Sequence, residues 1–152
     1  DKADILRIMK DSSIGVFGAL GIVFLMLIKF EFLYLLADRT VFFLMAIVCA
    51  RWAQVALSFY LPYAGEGGGL GEQVARKIGL RELFGASFFL LPFFFWTGSS
   101  GCIIFGGLII FLFLLGLFFF RRIGGLTGDL LGAASELSEL FVLILASALF
   151  RS

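Results

Sequence analysis

LFGASFFLLPFFFWTGSSGCIIFGGLIIFLFLLGLFFF, residues 83–120, runs for 38 positions without one charged side chain. A single helix of that length would be about 57 Å long, well beyond a hydrocarbon core of about 30 Å. The run therefore folds back on itself. Gly98-Ser99-Ser100-Gly101 is the expected turn, with a short first arm kinked at Pro92 and a longer second arm ending at Phe120.

Outward from this stretch the same character continues. Hydrophobic residues make up 61% of the chain and mean hydropathy is +1.09, more apolar surface than a soluble domain of this size can hide. A first membrane helix is predicted over 14–36, beginning with Gly15, Gly18 and Gly21, small residues that suit close helix packing in lipid. Lys29 and Glu31 interrupt it near its far end and are read as snorkelling to the interface. After the polar turn Asp38-Arg39, a second helix covers 41–61 with Arg51 near its midpoint, and a last one runs from about Asp129 to Phe150. The expected fold is all-α, a polytopic integral membrane helical bundle of about five transmembrane helices, forming one membrane domain over 1–152. Residues 1–13 read as an amphipathic segment, with Ile5, Ile8 and Met9 on one face and Asp4, Arg7 and Asp11 on the other. The chain opens at Asp1 and reads as the interior of a longer product.

Net charge is only +1, which gives no reason to expect a nucleic-acid partner; the expected surroundings are the lipid bilayer. Two cysteines, Cys49 and Cys102, with no histidine make neither a zinc site nor a disulfide framework, and both are read as packing residues. Five helices put residues 1–13, 63–82 and 121–128 on one side of the membrane. That side carries Lys2, Arg7, Lys10, Arg76, Lys77, Arg81, Arg121 and Arg122, against Arg39 and Arg151 opposite. Such an excess marks the first side as cytoplasmic.

The stretch Ile123-Gly124-Gly125-Leu126-Thr127-Gly128-Asp129, followed by Glu136 and Glu139, sets glycines, a hydroxyl and carboxylates between apolar blocks. Polar groups at membrane depth are costly unless they face protein, water or an ion, so the stretch is a candidate site. If Asp129 opens a helix, Gly132, Glu136 and Glu139 share its face within an arc of about 80°. Carboxylates there can hold a hard cation such as Mg²⁺ or accept a proton; alternatively Asp129 is a helix N-cap and the glutamates pair with arginines such as Arg51. The backbone of 124–128 can present N–H groups to a phosphate at a helix N-terminus. Arg51 is either an internal ion-pair partner or an anion ligand. Lys10-Asp11-Ser12-Ser13 brings a cation, a carboxylate and hydroxyls to the membrane surface, or simply ends a solvated helix. The glycine-rich loop within 62–82 contains no Walker A or G-x-G-x-x-G pattern, so an ordinary nucleotide-binding loop is not supported. Two other classes compete with an enzyme: a transporter, whose charges would line a path through the bilayer, and a structural subunit whose charges merely pair.

Ile8-Met9-Lys10-Asp11-Ser12-Ser13-Ile14-Gly15 and Gly124-Gly125-Leu126-Thr127-Gly128-Asp129-Leu130-Leu131-Gly132-Ala133-Ala134 resemble, in order, two motifs of the cobalamin synthase (adenosylcobinamide-GDP ribazoletransferase) family. Arg51-Trp52 and Tyr63-Ala64 are similar to that family too. Leu126 stands where the family has glutamine, and its upstream acidic motif has no counterpart here, so the chain resembles the C-terminal three-fifths of such an enzyme. The resemblance implies transfer of adenosylcobinamide phosphate from adenosylcobinamide-GDP to α-ribazole or its 5′-phosphate, with release of GMP, at the cell (inner) membrane. It implies Mg²⁺ as cofactor, with Asp11 and Asp129 as metal-holding and catalytic carboxylates. Lys10, Ser12, Arg51, Gly125, Thr127, Gly128 and Glu136 would bind or orient the phosphates. A second copy of the chain is a further candidate partner.

Overall fold

The computed structural model describes Ile5, Ile8 and residues 14–65 and 78–150. Their elements, in chain order, are α1 (Val16–Tyr34), α2 (Arg39–Tyr60), α3 (Leu80–Phe88), α4 (Leu91–Thr97), α5 (Ser99–Ile123) and α6 (Gly128–Leu149). Among the described residues, α1, α2, α5 and α6 are long and apolar enough to cross a membrane. The chain is a helical membrane protein, as its composition requires.

The third of the five expected passes is broken rather than kinked. α3 and α4 are nine and seven residues long, and between them the N–H groups of Phe89 and Leu90 fall back on the carbonyls of Ala86 and Ser87 at 3.2 and 3.1 Å. Pro92 sits in the first turn of α4, where its missing N–H has no helical partner to lose. The proline starts a helix here instead of bending one. The turn that follows is also tighter than the sequence suggests. Gly98 alone reverses the chain, at φ 57° and ψ −135°, a left-handed geometry that glycine adopts freely, and Ser99, Ser100 and Gly101 already belong to α5.

α3 and α4 run antiparallel to α2. Trp52 Nε1 donates to Ser87 Oγ at 2.9 Å, while Met45 and Cys49, nearer the start of α2, line a small cavity with Leu90, Phe93 and Thr97. The core lies between α2 and α6. Ala46, Ala50 and Ala53 on α2 and Ala134, Ser135 and Ala146 on α6 are all buried, and such small side chains let two helices approach closely without a hydrophobic driving force. α5 closes this seam with Ile104, Leu108 and Leu112. At one end of the bundle Phe42 packs on Phe150, ring centroids 4.7 Å apart, so the start of α2 meets the end of α6. α1 is different: against the described residues none of its own is buried, and it leans on α6 and, to a smaller extent, α2. Cys49 is buried as expected, but Cys102, on α5, is exposed.

Candidate functional site

The other end of the bundle holds the glycine and carboxylate motif. α5 continues to Ile123, one turn past its expected end, until Gly124 at φ 87° stops it; the Gly124 N–H donates to Phe120 O at 2.8 Å. The chain then crosses the segment that follows α2. Leu126 N–H donates to Pro62 O at 2.8 Å and Ala64 N–H donates to Leu126 O at 2.7 Å, one short parallel bridge between the two connections. Gly125 is where the backbones touch. A Cβ there would lie 2.1 Å from Pro62 O, a contact only glycine avoids. Leu126 is fully buried in the core.

Thr127 then caps α6. Its Oγ1 accepts from Leu130 N–H at 3.3 Å, and its carbonyl accepts from Leu131 N–H at 3.0 Å. This is the role the sequence offered to Asp129, and it falls to the threonine. Asp129 is instead the second residue of α6. It is exposed, and its carboxylate has no ion pair or hydrogen bond among the described residues. The first-turn N–H groups of Gly128 and Asp129 also have no partner among the described residues, as at any helix start. Of the expected phosphate-binding backbone, Gly124 and Leu126 have already spent their N–H groups on Phe120 and Pro62. What faces outward is the positive end of the α6 dipole, with Arg121 and Arg122 exposed in the last turn of the preceding helix.

Arg51 is not buried in mid-helix. It is exposed on α2, its Nη1 donating to Gln54 Oε1 at 3.3 Å, and Gln54 Nε2 donates in turn to Leu131 O at 3.4 Å. Gln54 thus links Arg51 to the second turn of α6, beside the motif. Gln54 is not among the residues that the motifs single out; its position three residues after Arg51, on the same helical face, is the signal in the sequence that marks it.

The glutamates pair with Lys29, not with Arg51. Lys29 Nζ lies 2.7 Å from Glu136 Oε2 and also contacts Glu139 Oε2. The Lys29 side chain is only 12% exposed, so it does not snorkel; it reaches sideways to α6. Glu136 and Glu139 do share the face of Asp129, yet the three carboxylates are divided between a lysine and open space. Lys10, Asp11 and Ser12 lie outside the described residues, as does the glycine-rich stretch 66–77.

Magnesium is held in most proteins by one or two carboxylates together with substrate phosphates and water. Asp129 offers one such carboxylate with no cation paired to it among the described residues, so the donor chemistry at this helix start fits the ion. Among the described residues no three ligating side chains gather, so phosphate oxygens and water would make up most of the shell.

A family model described as cobalamin-5-phosphate synthase matches residues 1–147. The chain is 36% identical to a protein of Chlorobium phaeovibrioides over 158 residues, covering 100% of this chain and 64% of that one. It is 38% identical to one from Chlorobaculum tepidum over 148 residues, covering 93% and 58% of the two chains. It is 36% identical to one from Ralstonia pickettii over 144 residues, covering 92% and 56%. Each of the three is named adenosylcobinamide-GDP ribazoletransferase. The chain spans about three-fifths of the length of these curated relatives. No solved structure matches it.

Proposed function

The chain belongs to the cobalamin-5-phosphate synthase family, and on that premise we propose that it forms part of a membrane-embedded ribazoletransferase acting late in cobalamin synthesis. The donor is adenosylcobinamide-GDP, the substrate in the name its relatives carry. The acceptor is α-ribazole or its 5′-phosphate. A ribose hydroxyl oxygen of the acceptor attacks the phosphorus bonded to the cobinamide side. A new P–O bond forms there as the bond to the GMP phosphate breaks, and GMP leaves with the electron pair. The hydroxyl proton passes to a carboxylate, Asp11 or Asp129.

Little covalent chemistry is required of the protein in such a transfer; positioning and charge stabilisation do most of it. The unpaired N–H groups at the start of α6, with Gly125 and Gly128 keeping the backbone close and Thr127 holding the turn in shape, receive phosphate oxygens. Arg51, steadied by Gln54, adds a cation on the α2 side. Lys10 and Ser12 supply a further cation and hydroxyl. Asp129 and Asp11 would hold Mg²⁺, which would supply charge screening at the pyrophosphate. Glu136 supports this shell from two turns along α6 rather than by touching Arg51. The site faces the cytoplasm from the cell (inner) membrane, in keeping with the arginines and lysines that crowd its loops.

The observation that carries this reading is the Asp129 carboxylate, which has no ion pair or hydrogen bond among the described residues, beside N–H groups at the start of α6 that also lack one there. It is tested by the Asp129→Asn substitution in a full-length enzyme, with GMP release as the readout. Turnover should fall by about three orders of magnitude or more, on the scale of losing a positioned charge at a reacting phosphate, while the amount of protein in the membrane stays the same. Wild-type rates from the variant would remove Asp129 from the site.

A further inference from the structure

We infer that Lys29 is a positioning residue: its double pairing with Glu136 and Glu139 fixes the axial register of α1 against α6, and with it where the α1 start sits beside Thr127–Asp129. For its activity readout, this inference rests on the function proposed above; its geometric readout does not.

α1 needs such a pin. Against the described residues it buries none of its own, and among its nineteen residues only Lys29 and Glu31 are charged. An apolar helix against apolar lipid gains little from one rotation or depth over another, because the lipid tails solvate it equally well. Shape alone therefore specifies its register weakly. Lys29 changes that, since a charge largely withdrawn from solvent must find its partners, and a polar contact among apolar ones is the best-attested device for setting register. The Lys29 side chain is 12% exposed, while those of Glu136 and Glu139 are 47% and 20% exposed. The two glutamates lie one turn apart, so the ammonium bridges them, and sliding α1 by one turn removes one of its two partners.

The consequence reaches the site by arithmetic. α1 and α6 run parallel, because the chain leaves α1 for the start of α2, and that start packs against the end of α6. Gly15 lies 14 residues before Lys29, about 21 Å along the axis; Asp129 lies 7 and 10 residues before the two glutamates, about 10 and 15 Å. The pin therefore sets the beginning of α1 on the order of one to two turns beyond the first turn of α6. A slip of one turn, about 5.4 Å, is large against the tolerance of a phosphoryl-transfer site, where a misplacement of about 1 Å can cost on the order of a hundredfold in rate.

The test uses the full-length enzyme with Cys49 and Cys102 replaced by alanine and spin labels on cysteines at Val16 and Ala133, two exposed positions outside the proposed site. The labels should report one narrow distance distribution in this background and in Lys29→Arg. Lys29→Met should shift or broaden it by about one helical turn. Where Lys29→Met accumulates poorly, the neutral triple Lys29→Met, Glu136→Gln, Glu139→Gln removes the uncompensated charge and should recover the protein but not the narrow distance. An unchanged narrow distribution in Lys29→Met or in the triple would overturn the inference. In the kinetic arm, Lys29→Met should lower kcat at least tenfold with KM for adenosylcobinamide-GDP within about threefold, and Lys29→Arg should restore it. Wild-type kcat in Lys29→Met also counts against the pin. A wild-type enzyme that releases no GMP would instead sink the proposed function and leave the distance result standing.

Discussion

At the residue scale the site depends on where a few atoms sit. Gly125 is the strictest case, because its α-hydrogen faces Pro62 O across the bridge joining the two connections. Gly125→Ala should push the loops apart, costing about 1–3 kcal/mol of stability and most of the turnover, checked by thermal unfolding in detergent and GMP release together. Thr127 acts through one oxygen. Thr127→Ala removes the cap on Leu130 N–H and should cost about 1 kcal/mol, whereas Thr127→Ser keeps the oxygen and should behave as wild type in the same unfolding measurement. Leu126 explains itself differently. Where relatives of this family are expected to carry an amide, this chain buries an apolar side chain, and its backbone rather than its side chain joins the site.

At the element scale, much of the fold was legible in the sequence because apolar length is a strong signal. The bounds of α2 and α6 fall within two residues of those expected, and the hairpin in 83–120 follows from the thickness of a bilayer. The misses share a cause. Pro92 as a helix starter, Gly98 as a one-residue turn, Thr127 in place of Asp129 as cap: each depends on which backbone group has already found a partner, and residue type alone does not record that. Lateral pairing was equally hidden. Lys29 and Glu136 stand 107 positions apart, and no local pattern tells a snorkelling lysine from one reaching a neighbouring helix. Gln54 belongs to this class, since its worth lies in the carbonyl of Leu131 on another element. Gln54→Met should leave α2 inserted but free Arg51 from its support, and kcat should fall about tenfold, in line with loss of a hydrogen bond to a charged group. A Gln54→Met enzyme with unaltered kcat would take Arg51 out of the phosphate shell.

At the scale of the whole molecule, the bundle has two unlike ends. One is closed by aromatic packing of Phe42 on Phe150; the other carries the bridged connections, the start of α6 and the exposed Arg121 and Arg122. The proposed function requires the Lys10–Ser13 motif at that second end as well, so that carboxylates distant in sequence serve one diphosphate from one side of the bilayer. The most direct measurement is accessibility to a membrane-impermeant thiol reagent in sealed inverted and right-side-out vesicles. The native cysteines are replaced by alanine, and single cysteines are placed at Ser12, Gly128 and, at the opposite turn, Asp38. Cysteines at 12 and 128 should react together in inverted vesicles only, and the one at 38 in right-side-out vesicles only. Labelling of 12 and 128 from opposite faces would contradict the account.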